Sequence, residues 1–360
     1  MICCEKCFTD IVIKSEIIGL GNKGNCEICG SRDVYIYGSE YNYDDSNIEE
    51  WLTSIVKIYK AQEKLDENYP KEHLGSLENK LKYDWDIFDV DETKIRTIIG
   101  SIINNALDID TELLEQKVGI PELNNTDYMM QNSIMGVHKW DDFRKYLRSE
   151  NRFHGKYISL DILSEILKDT EIIIPEGTIL YRARKSSRKG FKRKSMGAPP
   201  SELATAGRAN SKGISFLYLC SQKNTTVKEI RANIFDYVTI ANFRVDRNIK
   251  VLDMSSICHN SPFFVETDKV KYLVNEKHLR KMQEDLAKPI TSDDTELDYL
   301  PTQYISDFAK YLGYDGVKYM STFDKNAYNL ALFDVKSCTC TYNRNYLIGN
   351  SDYKLTNGHG

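Results

Sequence analysis

Four cysteines near the start of the chain, Cys4-x2-Cys7 and Cys26-x2-Cys29, stand in two pairs separated by 18 residues. Paired thiolates at this spacing form the two knuckles of a tetrahedral zinc site. Four protein ligands leave no position open for water, so the expected metal is structural. Gly24 and Gly30 flank the second pair and suit tight turns, and Cys3 could replace Cys4 as the first ligand. A segment this short needs such a staple to fold.

A second group of chemically capable residues lies between Thr178 and Glu229. The alternation in Thr178–Arg184 predicts a strand with Leu180, Arg182 and Arg184 on one face and Ile179, Tyr181 and Ala183 on the other. The bases of two such arginines lie about 6.6–7 Å apart, which suits adjacent phosphates or a diphosphate, although a solvated edge strand would carry the same pattern. Lys185, Arg188, Lys189, Lys192, Arg193 and Lys194 follow as a cationic loop, able to concentrate an anionic ligand or to grip a macromolecule. Gly197-Ala-Pro-Pro200 forces a turn, and the glycine-bracketed loop Gly207–Gly213 offers Arg208 and Asn210 to a ligand. Ser215–Leu219 reads as a strand with Phe216 and Tyr218 on one face, and Thr225 or Thr226 caps a helix whose first turn holds Glu229. Far downstream, Gly316–Ser321 reads as a strand with Val317, Tyr319 and Ser321 on one face.

The elements that must position these residues divide the chain. At 360 residues it is long enough for two or three domains, and 41% hydrophobic with 28% charged residues is ordinary for a soluble globular protein. A net charge of −5 argues against a surface that grips nucleic acid as a whole, so a nucleic-acid partner is not expected. Nine cysteines without an export signal fit thiols and metal ligands, and no apolar run approaches a membrane span; a cytoplasmic protein is expected. Beyond the zinc ribbon at 1–38, a polar acidic stretch at 40–46 reads as a linker, and Ser46-Asn-Ile-Glu49 has the form of a capping box. Helical periodicity at Ile48–Tyr59, Ile95–Ile103 and Trp140–Leu147 then predicts an all-α domain over 46–170. Pro175-Glu-Gly177 marks a change to mixed strands and helices over 175–348, including a strand at Tyr237–Val245, a helix at 304–312 and a strand at Asn329–Asp334. The charged segment at 265–288 reads as a peripheral helical insertion, Asp293–Glu296 as an acidic loop, and 349–360 as a disordered tail. The expected fold class is α+β with a mixed β core.

The second half resembles the RES-domain proteins, toxins of bacterial toxin–antitoxin systems. The likeness covers about 175–345 and rests on Leu180-Tyr-Arg-Ala-Arg184, Gly207-Arg-Ala-Asn-Ser-Lys-Gly-Ile214, Leu217-Tyr-Leu219 with Thr225-Thr-Val-Lys-Glu229, and Gly316-Val-Lys-Tyr-Met-Ser321. It implies that Arg182, Glu229 and Ser321 are the residues that give the family its name, with Tyr218 as its active-site tyrosine. It further implies an ADP-ribosyltransferase-like fold that uses NAD as substrate, cleaving the nicotinamide bond by hydrolysis or phosphorolysis or transferring ADP-ribose to a protein acceptor. An antitoxin would be the natural protein partner. The N-terminal part is similar to the HEPN-like domains fused ahead of RES domains, and the long stretch between Val245 and Tyr304 departs from compact members.

The residues suit that chemistry on their own terms. Breaking the ribose–nicotinamide bond develops positive charge on the sugar, which a carboxylate such as Glu229 can stabilise. Nicotinamide leaves neutral, so neither a strong general acid nor a metal is required. Arg182 would hold the diphosphate with Arg184 or Arg208 assisting, Tyr218 would stack on the substrate, and Ser321 would hydrogen-bond the same end. A rival of another class takes Arg148 and His154, spaced as in some HEPN ribonucleases, as an RNA-cutting pair; a third makes the N-terminal half an interaction module that binds a partner or forms a homodimer.

Overall fold

The structure, a computed structural model, describes residues 1–38, 46–105 (backbone only for 102–105), 110–255, 257, 261–263, 268–288 and 295–349. Most of the expected linker at 40–46, Asp293 and Asp294 of the acidic loop, all but Gly349 of the tail, and the side chains of Ile102 and Ile103 lie outside these residues. The chain forms two compact units, Met1–Val137 with His259–Lys277, and His138–Cys258 with His278–Gly360. The segment 138–170, expected to continue the all-α region, is grouped with the second unit.

In the first unit, strands β1 (Ile2–Cys4), β2 (Lys23–Gly24) and β3 (Val34–Gly38) form an antiparallel sheet in the order β1-β3-β2, beside helix α1 (Ile11–Gly19). Helix α2 (Ile48–Val56) starts at Asn47. The Ser46 hydroxyl accepts from Ile48 N–H at 3.2 Å. Helices α3 (Leu77–Tyr83), α4 (Glu92–Asn105) and α5 (Thr126–Asn132) follow, with a two-residue pairing of β4 (Lys60–Ala61) and β5 (Val118–Gly119). Ile48, Leu52, Ile55, Ile95 and Ile99 are fully buried in one core with Phe8 and Ile13, as the helical periodicity requires.

The second unit opens with α6 (Trp140–Ser149) and α7 (Leu160–Lys168). An eight-stranded mixed sheet follows, built from β6 (Glu171–Ile174), β7 (Ile179–Ser186), β8 (Leu217–Cys220), β9 (Tyr237–Val245), β10 (Ile249–Asp253), β11 (Gly316–Ser321), β12 (Asp324–Leu332) and β13 (Cys338–Leu347). Their order is β13-β9-β7-β8-β12-β11-β10-β6, antiparallel except for β10 against β11. Helix α8 (Lys223–Glu229) joins β8 to β9, while α9 (Lys269–Ala287) and α10 (Leu300–Tyr311) lie between β10 and β11. Leu180, Leu217, Leu219, Phe243, Leu330 and Leu332 pack one core of the sheet, and Ala183, Val238 and Ile240 pack a second with Val227 and Ile230.

Three expectations are corrected here. Within the expected 265–288 insertion, of which 265–267 lie outside the described residues, helix α9 is not peripheral: Leu279, Met282 and Leu286 recur at helical spacing and are buried to within 1%. Helix α8 begins at Lys223 without a side-chain cap, so Thr225 and Thr226 lie inside it and Glu229 is its last residue, not part of its first turn. Strand β12 begins at Asp324 and ends at Leu332, before Phe333 and Asp334. No helix among the described residues is long and apolar enough to cross a membrane.

Gly316 marks a close approach of β11 to β12. A Cβ there would meet the Ala331 carbonyl oxygen at 2.6 Å and Leu332 Cα at 3.3 Å. Gly316→Ala is expected to destabilise the protein by about 1–3 kcal/mol through overpacking, read as a lower chemical-denaturation midpoint.

Candidate active site

The site forms where the sheet opens. Strands β7 and β8 share a single residue pair, Tyr181 with Cys220. Beyond that pair, the Tyr218 carbonyl accepts from Arg182 Nη1 at 3.1 Å. A guanidinium thus serves a carbonyl beside a ladder that stops, and buried carbonyls require such partners. Arg182 Nε is buried and has no hydrogen-bond partner among the described residues. Burial, aided by the charge of Arg184, lowers Arg182 to about 10, so it stays protonated at neutral pH.

The loop before β8 shapes the next wall. Tyr218 Oη donates to Asn210 Oδ1 at 2.6 Å and accepts from Ala209 N–H at 3.2 Å. Burial raises the Tyr218 pKa, which keeps the phenol neutral. Asn210 Nδ2 donates to the carbonyls of Thr205, Ser211 and Ile214 at 2.9–3.1 Å. Gln303 Nε2 supports the same loop through the carbonyls of Gly207 and Asn210 at 2.8 and 3.0 Å. Gly207 leaves room for the phenol: a Cβ there would lie 2.6 Å from Asn210 Oδ1 and 2.8 Å from Tyr218 Oη.

Glu229 closes the third side. Ser321 Oγ donates to its Oε1 at 2.6 Å, and Asn329 Nδ2 donates to the same oxygen at 2.7 Å. The carboxylate ends α8, where helix carbonyls disfavour negative charge, so its position rests on these donors and not on the helix dipole. Cross-strand register brings the donors together. Tyr319 pairs with Asn329 and Asn329 with Cys220, so Tyr319, Ser321, Asn329, Cys220 and Tyr218 share one sheet face. A register shift between Met320 and Ser321 then turns the chain back into β12.

Together these elements bound a cavity of about 310 Å3, walled by Arg182, Tyr218, Glu229, Tyr319 and Asn329 and reaching Arg208, Arg231 and Lys288. Arg182, Tyr218, Glu229 and Ser321, separated by up to 139 positions in sequence, are therefore brought to one place, with Ser321 behind Glu229 and buried. The other expected ligand residues are placed differently. Arg184 donates to the Ser195 carbonyl at 2.5 Å and lies over the Phe191 ring, outside the cavity wall. Asn210 is buried behind Tyr218 with its amide committed to its own loop. Arg208 reaches the cavity but donates to the carbonyls of Asp285 and Leu286, at the C-terminal end of α9. Asn329 and Arg231 were missed by sequence reasoning. An asparagine within a strand and an arginine after a helix carry no motif, although their positions near Ser321 and Glu229 were a usable signal.

In the first unit, the Sγ atoms of Cys4, Cys7, Cys26 and Cys29 all lie within 4.8 Å of one another and could hold a metal ion. Cys3 occupies the adjacent strand position, buried in the core, and is not in this group. Arg148 is ion-paired with Asp298, and His154 lies exposed in the segment after α6.

No curated protein matches the chain. Among solved structures, a chain from the M. tuberculosis MbcT–MbcA toxin–antitoxin complex is similar at 14% identity and a TM-score of 0.33, over 52% of this chain and 94% of that one. The family model described as the RES domain matches residues 179–348, the span that contains the split strand pair, the tyrosine loop and the glutamate clamp. The chain carries a RES domain over these residues.

Proposed function

We propose that the cavity binds NAD+ and breaks the bond between its ribose and nicotinamide. The observation that carries this reading is the Glu229 carboxylate, clamped through Oε1 by Ser321 and Asn329 in the same cavity as Arg182. Both donors meet one oxygen, which leaves Oε2 for the ribose hydroxyls. As the bond breaks, its electron pair goes to the nicotinamide nitrogen, which becomes neutral, and positive charge grows on the ribose. A fixed carboxylate stabilises that charge without reorganising. Arg182 holds a phosphate with its unpartnered edge, and Tyr218, its hydroxyl already engaged, offers its ring to the ligand. Water, phosphate or a protein nucleophile then captures the ribose and releases a proton. Ser321 and Asn329 are positioning residues, since both act through Glu229.

The cysteine cluster in this reading is a structural Zn2+ site. Zinc–sulfur bonds of about 2.3 Å in a tetrahedron put the sulfurs about 3.8 Å apart. Cys4–Cys7, Cys4–Cys29 and Cys7–Cys26 are 3.9, 3.5 and 3.6 Å apart.

Purified protein mixed with NAD+ should release nicotinamide, followed by chromatography. Glu229→Gln should lower the rate by about 100-fold or more with an unchanged melting temperature. NAD+ left intact in the presence of water, phosphate and protein acceptors would sink the reading, and mass spectrometry of the ribose product identifies the acceptor. Gly207→Ala, which presses on Asn210 Oδ1 and the Tyr218 hydroxyl, should reduce kcat/KM by about tenfold or more and lower the melting temperature through overpacking. Elemental analysis should find about one zinc per chain, and Cys26→Ser or a strong chelator should remove it and lower the melting temperature; a metal-free protein that melts unchanged with chelator would count against the site.

A further inference from the structure

Four arginines stand in or beside the cavity region, and three are already committed. Arg182 serves the Tyr218 carbonyl, Arg184 the Ser195 carbonyl, and Arg208 the carbonyls ending α9. Arg231 differs. It lines the cavity, its residue is exposed, and among the described residues its guanidinium has no ion pair or hydrogen bond. The carboxylate two positions earlier is not its partner, because Glu229 is bonded to Ser321 and Asn329. Lys288, also on the wall, has interactions of its own.

The backbone of Arg231 is as distinctive as its charge. Its φ is +48°, in the left-handed region, and it follows Ile230, the C-cap of α8. That position after a helix is ordinarily glycine, because an L side chain is disfavoured there. A long cationic side chain therefore occupies a glycine position, exposed and without a partner among the described residues, at the wall of a cavity that Arg182 also lines.

We infer that Arg231 is the second anion ligand of this cavity. Arg182 takes one phosphate of a diphosphate-bearing ligand from the wall, and Arg231 takes the other from the rim, in the role that spacing along β7 gave to Arg184. The inference rests on the NAD+ reading of the site and adds to it where the diphosphate lies and which residue sets its affinity. An exposed charge of this kind acts mainly on binding, and its contribution falls as salt rises.

Arg231→Gly separates charge from fold, because glycine is the residue the backbone favours. Titration calorimetry with ADP-ribose should show binding weakened by about tenfold or more, less so at high salt, with a melting temperature no lower than that of the wild type. Arg231→Lys should recover part of the loss, and with NAD+ as substrate the effect should fall on KM more than on kcat. If Arg231→Gly binds ADP-ribose as tightly as the wild type while both cleave NAD+, the inference is overturned and the NAD+ reading stands. If affinity is lost only together with thermal stability, Arg231 is structural and the inference is overturned. If the wild type neither binds ADP-ribose nor cleaves NAD+, the NAD+ reading fails and this inference with it.

Discussion

A carboxylate at the negative end of a short helix is in an unfavourable field, and the architecture around this site answers that one constraint. Glu229 is fixed there because two neutral donors from neighbouring strands converge on a single oxygen. Both donors must arrive from the same sheet face, which requires β8, β12 and β11 to keep their register from Cys220 through Asn329 to Tyr319. The close packing of Gly316 against β12 and the buried leucines behind the sheet hold that register. The sheet therefore behaves as a jig for one side chain.

The loop before β8 solves a different problem with the same economy of contacts. Burial keeps the Tyr218 phenol neutral, and Asn210 orients it by joining it to three loop carbonyls. Gln303 braces the loop from α10, within the long stretch between β10 and β11. That stretch also supplies Leu286, Ala287 and Lys288 to the cavity. The insertion is thus part of the site, not an ornament on it.

Much of this was legible before any coordinates. The strand faces of β7 and β11 and the paired cysteines follow from spacing and residue type, the order of the arginine, tyrosine, glutamate and serine motifs from the resemblance to RES-domain proteins, and the fold class from the change of period near residue 175. What stayed hidden has physical causes. Strand β13 is a polar edge strand, Cys-Thr-Cys-Thr-Tyr-Asn-Arg-Asn-Tyr-Leu, with no clean apolar alternation, and β10 is a short strand ahead of a charged region. Helix α8 lacks a side-chain cap, so threonines that resemble caps misplace its start and shift Glu229 from one end to the other. Asn210 and Arg184 show a more general limit. A polar side chain in a motif can face a ligand or its own loop, and residue type alone does not distinguish the two.

The single pair between β7 and β8 has a mechanical consequence. Hydrogen-bond ladders are what resist sliding and rotation between neighbouring strands, and this one is a single rung long. The eight strands are therefore two stiff plates, β13-β9-β7 and β8-β12-β11-β10-β6, joined at a seam. Beside that rung, the bond from Arg182 to the Tyr218 carbonyl stitches the seam. Any anion that competes for this guanidinium loads the stitch itself, so occupancy of the cavity and the stiffness of the sheet are tied to one hydrogen bond.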